Sequence, residues 1–124
     1  MPPAFDRATI DLLRDAEEVE IETRRAPGAP LHRTIIWIVV ASRDSVLIRS
    51  VRGEAGRWYR EAVAHPDCVI RLGDRSIPVT AGAADPGEVV ACSDALRVKY
   101  AGDPAVRTML REDTLATTLK LLPR

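Results

Sequence analysis

Val46-Leu47-Ile48-Arg49-Ser50-Val51, then Arg52-Gly53-Glu54-Ala55-Gly56, then Arg57-Trp58-Tyr59-Arg60 up to His65-Pro66, is the stretch on which the reading of the fold turns. The first six residues make a short, largely apolar strand, the next five a turn, and the last segment a helix that closes at the proline. Four arginines, a serine and two glycines therefore collect where a strand ends and a helix begins. Free backbone N–H groups and the positive end of a helix dipole favour an anion at such a corner. Arginine's planar fork holds two phosphate oxygens at once, and each charge-assisted hydrogen bond contributes roughly 1.5–3 kcal/mol. The plain alternative is a solvated rim in which these arginines pair with Glu54 and Glu61.

The 124 residues suffice for one domain with a real core and not for two ordinary ones. The expected layout is a single domain over 1–124, with an N-terminal helix over 6–16 and the remaining elements over 17–122. Lys plus Arg (18) equals Asp plus Glu (18), so no overall charge draws the chain to nucleic acid or to an anionic membrane. The longest apolar run, Ile35 to Ala41, is far shorter than the roughly 20 residues of a membrane helix, and Met1 to Asp6 lacks the basic-then-apolar order of a secretory signal. A soluble cytoplasmic protein is the expectation. Cys68 and Cys92 lie in different elements without metal spacing, which predicts reduced, buried thiols and no metal.

Upstream, Asp6 caps a helix to about Ala16, with Phe5 packing on Ile10. Glu18-Val19-Glu20-Ile21-Glu22-Thr23-Arg24 alternates at period two and predicts a strand with one wet face, carrying the three glutamates, and a neighbour on one side only. Pro27, Gly28 and Pro30 mark a loop. Arg33 to Ala41 is nearly all β-branched or aromatic, which predicts one long central strand covered on both faces, with Trp37 in the core. Ser42 to Ser45 then forms a hairpin turn. Downstream, strands 68–72 and 76–81 flank a Gly73-Asp74 turn, Pro78 placing the second at an edge or bulge. Asp85-Pro86-Gly87-Glu88 carries capping Asp, first-turn Pro and a Glu three residues on, and opens a helix to about Ala101. A short helix from Asp103-Pro104 to Leu110 and a last strand over Leu115 to Leu122 complete the chain. The fold class is α+β, a six-stranded antiparallel barrel with flanking helices.

The order of elements resembles the split β-barrel superfamily of flavin- and deazaflavin-binding proteins, which includes pyridoxamine-phosphate oxidases and deazaflavin-dependent nitroreductases. The residues that carry the likeness are Arg33-Thr34, Arg49-Ser50-Val51-Arg52-Gly53, Trp58-Tyr59, Ala64-His65-Pro66 and Gly73-Asp74-Arg75, over roughly residues 17 to 122. Lys99-Tyr100 and the Thr118-Leu119-Lys120-Leu121-Leu122-Pro123 end resemble a small uncharacterised family inside that superfamily. The likeness implies a homodimeric split barrel with FMN or an 8-hydroxy-5-deazaflavin coenzyme between the barrels, reducing a small molecule as an oxidoreductase. It places Arg49, Ser50, Val51, Arg52, Gly53 and Arg57 at the cofactor phosphate with Thr34 alongside, and Trp58 and Tyr59 against the ring or the dimer seam. No catalytic side chain is implied, since the cofactor carries the chemistry.

Three departures bear on that reading. Arg52 stands where the nitroreductase pattern has glycine, Glu61 and His65 where it has asparagines. Arg52 either strengthens the phosphate site or blocks it. The alternative is thus a non-enzymatic dimeric binding or sensing module in which Arg52 and Glu61 have closed the site. A third reading, haem handling, rests on His32 and His65 alone.

Overall fold

The computed structural model describes residues 3–124. Helix α1 (Arg7–Asp15) is capped by Asp6, whose carboxylate accepts from the Thr9 N–H at 2.7 Å. Strands β1 (Val19–Thr23), β2 (His32–Ile36), β3 (Val39–Ser42) and β4 (Ser45–Ile48) follow, then a 3-10 turn at Gly53–Ala55 and α2 (Arg57–Ala64). Strands β5 (Asp67–Leu72) and β6 (Arg75–Ala83) flank a turn in which Gly73 takes φ +58°, a value that glycine adopts without strain. Helix α3 (Pro86–Lys99) starts on a complete Asp85/Glu88 capping box; α4 (Val106–Met109), α5 (Glu112–Leu115) and β7 (Leu119–Pro123) end the chain.

Among the described residues all pairings are antiparallel and the order is β2-β1-β5-β6-β7-β4-β3, seven strands instead of the expected six. The extra strand arises because Arg33 to Ala41 is not one central strand. It is β2 and β3, which lie at opposite ends of the sheet although only Trp37 and Ile38 separate them. The sheet must therefore curl until its two ends meet at that joint. The physical cause of the break is polar: the Ile38 carbonyl accepts from Lys99 Nζ at 2.6 Å, and the Ile38 N–H donates to the Tyr100 hydroxyl at 3.4 Å. Both groups are spent on side chains from the end of α3, so neither is left for a ladder.

Two apolar clusters hold the curl. The inner one collects Ile10 and Leu13 of α1, Ile21, Val46, Ile48, Ile70, Val79 and Leu121. The outer one packs Cys92 and Leu96 of α3, with Tyr100 just past its end, on Val39 and Leu47. Strand β4 is covered on both faces, with Val46 and Ile48 turned one way and Leu47 the other.

Other expectations change in detail. Strand β1 has neighbours on both sides, and Glu22 is buried and accepts from Arg33 Nε at 2.7 Å across the β1–β2 pair. Pro78 lies on an interior strand, opposite Val69, but at the level where β7 runs out at Pro123. Its missing N–H therefore leaves no ladder bond unmade. Residues 115–118 are not strand: the Thr117 and Thr118 hydroxyls bond back to the carbonyls of Thr114 and Leu115, forming a turn. Both cysteines are free and buried.

Candidate functional site: a cationic pocket at the end of β4

Where β4 gives way to the 3-10 turn and α2, a pocket of about 630 Å³ opens. Its polar wall is Glu18, Thr34, Arg49, Ser50, Arg52, Gly56 and Arg57, three cations and one carboxylate among them. Its apolar wall is Ile35, Ile36, Trp37, Val51, Trp58 and Met109, and Ala105 stands with them. Seven of the nine expected residues thus line one cavity: Thr34, Arg49, Ser50, Val51, Arg52, Arg57 and Trp58.

Two expected residues do not. Gly53 is buried behind the wall with φ +63°, and a Cβ there would sit 3.1 Å from the Asp113 carbonyl oxygen, so its glycine serves turn geometry and close packing on α5. Tyr59 packs on the inner core, its ring edge-on to Trp58.

Arg49 lines the pocket from beneath, but its guanidinium is committed elsewhere. It is 1% exposed and donates to Thr118 Oγ1 (2.8 Å), Ser93 Oγ (3.0 Å), Met109 O (2.8 Å) and Val89 O (2.9 Å). Four of its five N–H groups are engaged, all by neutral acceptors. Burial lowers its pKa, and no carboxylate offsets that. Arg49 ties β4 to α3, α4 and the turn before β7, so the direct phosphate contact expected of it is not the use its hydrogen bonds make of it.

The other two arginines are free of that demand. Arg52 and Arg57 are exposed, and among the ion pairs of the described residues neither has a carboxylate partner. Arg57 only reaches Thr34 Oγ1 at 3.4 Å. The pairing with Glu54 or Glu61 is absent. Glu61 accepts instead from Thr23 Oγ1 at 2.8 Å and meets His32 Nδ1 at 2.9 Å. Burial raises the Glu61 pKa, and the bonds to His32 and Thr23 outweigh it, holding the carboxyl below its ordinary value. It therefore neither lines nor closes the pocket.

Ser50 supplies the sharpest local observation. Its N–H donates to Thr117 Oγ1 at 3.0 Å, while its own Oγ is buried without a hydrogen-bond partner. A buried hydroxyl left unmatched costs about 1–3 kcal/mol. Gly56 keeps room for it, since a Cβ there would collide with Ser50 Oγ.

Sequence reasoning missed Trp37, Met109 and Glu18. Trp37, expected in the core, is half-buried; its ring stacks on Tyr100 with centroids 3.9 Å apart and planes 4° from parallel. The usable signal was length: Arg33 to Ala41 is longer than the usual five or six residues of a strand.

Residues 9–121 match the family DUF2255, described as uncharacterized and conserved in bacteria. The chain belongs to that family. No curated protein matches it. Several solved structures share the architecture of this DUF2255 chain. Campylobacter jejuni ChuZ is similar with TM-score 0.68 and 13% identity; the match covers 94% of this chain and 51% of ChuZ, so the chain spans about half that relative's length. HutZ, the heme storage protein of Vibrio cholerae, gives 0.66 at 12% identity, covering 100% of this chain and 92% of HutZ. A candidate pyridoxamine 5'-phosphate oxidase of Listeria innocua gives 0.67 at 13%, with 94% and 91% covered. At such identities the likeness concerns the fold, a curled split barrel of the pyridoxamine-phosphate-oxidase type. No helix among the described residues is long and apolar enough to cross a membrane.

Proposed function

We propose that this DUF2255 chain binds a phosphate-bearing flavin, FMN or a deazaflavin coenzyme, in the pocket at the end of β4, and works as a homodimer that reduces a small molecule. One observation carries the reading: Arg52 and Arg57, without carboxylate partners among the described residues, border one cavity together with Ser50. Arg52, Arg57 and Ser50 would hold the phosphate, and Thr34 steadies Arg57. When bound, the flavin supplies hydride chemistry; the chain supplies position and a largely apolar wall. Ile35 and Val51, 62% and 46% exposed at the pocket, fit a mouth that a second copy covers.

Haem, the cargo of HutZ, fits less well. His32 is held by Glu61 and His65 reaches the Arg25 carbonyl at 3.1 Å, and neither lines the pocket. The closed, non-enzymatic alternative fits less well too, because Glu61 points away and Arg52 borders the cavity without filling it.

Titration of the purified chain with FMN and with a deazaflavin coenzyme, followed by melting temperature, tests the proposal. Binding by one of them, weakened about 10-fold or more by Arg52→Ala and by Arg57→Ala, is the expected result, since each loses about 1.5–3 kcal/mol of charge-assisted hydrogen bonding. A melting temperature that neither ligand moves refutes it.

A further inference from the structure

We infer that Trp37 is the platform on which the ligand's planar ring stacks, held ready by Tyr100 and Lys99; the inference rests on the flavin reading and adds the residue that selects the ring. The evidence lies in how the joint between β2 and β3 is built. One face of the Trp37 indole is covered by Tyr100 at 3.9 Å and 4°, and Trp37 is among the residues that line the pocket. An aromatic ring with one face stacked and the other toward a cavity offers a π-face that any flat heteroaromatic can use.

The platform is fixed before any ligand arrives. The Tyr100 hydroxyl donates to the Glu17 carbonyl at 2.7 Å and accepts from the Ile38 N–H. Lys99 Nζ donates to Leu13 O at 3.1 Å and to Ile38 O at 2.6 Å, which anchors the residue next to Trp37. A side chain already ordered in this way loses little further freedom on binding. Trp37 also packs on the outer apolar cluster. Tyr100 is buried, whereas Trp37 is half-buried and lines the pocket. Phosphate and ring are then read by different walls, Arg52, Arg57 and Ser50 on one side and Trp37 on the other.

Three probes separate the two walls: FMN, lumichrome as the ring alone, and inorganic phosphate, each titrated calorimetrically into wild type, Trp37→Leu and Trp37→Phe. Trp37→Leu should weaken lumichrome and FMN by about 10-fold or more, and Trp37→Phe by less than about 3-fold, as the loss or retention of one stacking face predicts. The phosphate affinity should stay within about 2-fold in both, because neither change touches its donors. Equal losses for phosphate and ring, or ring affinities unchanged in a folded Trp37→Leu, overturn the inference. Wild type that takes phosphate but no ring overturns it while leaving the anion corner standing; wild type that takes neither brings down both readings. Should Trp37→Leu fail to fold, the same comparison is made with Tyr100→Phe. That variant removes the hydroxyl that fixes the platform and should weaken lumichrome by about 3-fold or more with phosphate within about 2-fold, and an unchanged lumichrome affinity counts against the platform.

Discussion

Replacing Arg49 by alanine separates a structural arginine from a ligand arm. The side chain is among the largest fully buried ones and makes four hydrogen bonds to neutral acceptors. At about 1.5–3 kcal/mol for each bond from a charged donor, the gross loss is about 6–12 kcal/mol. Two effects reduce it. Met109 O keeps the Thr114 hydroxyl at 3.0 Å and Thr118 Oγ1 keeps Leu115 O at 2.8 Å, so not every acceptor is orphaned. Removing the guanidinium also relieves the several kcal/mol spent on desolvating it. The net destabilisation should be about 3–5 kcal/mol, with Arg49→Met near the lower end because it refills the stem volume. For 124 residues the unfolding entropy is about 0.26 kcal/mol/K, so 3 kcal/mol lowers Tm by roughly 11 °C. Urea denaturation of the ligand-free chain measures the loss. A change under about 1 kcal/mol, with FMN affinity abolished, would show that the guanidinium serves the ligand and that the network is not what holds α3 and α4 to β4.

Gly56→Ala should cost about 1–3 kcal/mol and FMN affinity together, because its Cβ meets Ser50 Oγ. Adding Ser50→Ala should recover part of that stability; additive costs in the double-mutant cycle would remove the steric explanation. Burial pushes the Cys68 and Cys92 thiols up to about 11, so dithionitrobenzoate at pH 8 should label neither until denaturant is added, and rapid native labelling would contradict it. Burial brings Lys99 down to about 8, below its unfolded value of 10.5. Between those two values the unfolded chain binds more protons, so this residue's contribution makes stability rise with pH. The two thiols, with an unfolded value of 9, act the other way increasingly from about pH 8 upward, so the Lys99 contribution is read as the difference in slope near pH 8 between wild type and Lys99→Met, which keeps both thiols; Lys99→Met should flatten the slope there, and an unchanged slope would assign it elsewhere.

Elements whose signals are local were legible. Asp6 and the Asp85/Glu88 box stand at helix starts, Gly73-Asp74 is the hairpin turn, and the β4–turn–α2 order follows the alternation and the turn residues. What escaped reading was decided by contacts distant in sequence. The Arg33 to Ala41 run has the composition of one strand, and nothing in it announces that Lys99 and Tyr100, more than sixty residues away, take up the polar groups of Ile38. The same holds for Glu22, whose place in a charged row suggested a wet face until β2 brought Arg33 against it.

Most of the residues expected at the site line one pocket, while Arg49 is bonded within the fold, and strand parity shows why. On β4, Val46 and Ile48 face the inner cluster, while Leu47 faces α3. Arg49 shares the parity of Leu47, so it inherits that face. A strand whose outer face were wet would gain nothing from leucine there; Leu47, with Val39 beside it on β3, marks that face as covered. An arginine next in line on a covered face has to find buried acceptors, and the ends of α3, α4 and the threonine-rich turn supply them. Arg52 and Arg57 come after the ladder has ended, on the turn and the first helical residue, where no neighbour covers them. The division of labour among the three pocket arginines follows from that boundary: Arg49, before the turn, holds the fold together, and Arg52 and Arg57, beyond the ladder, remain available to an anion.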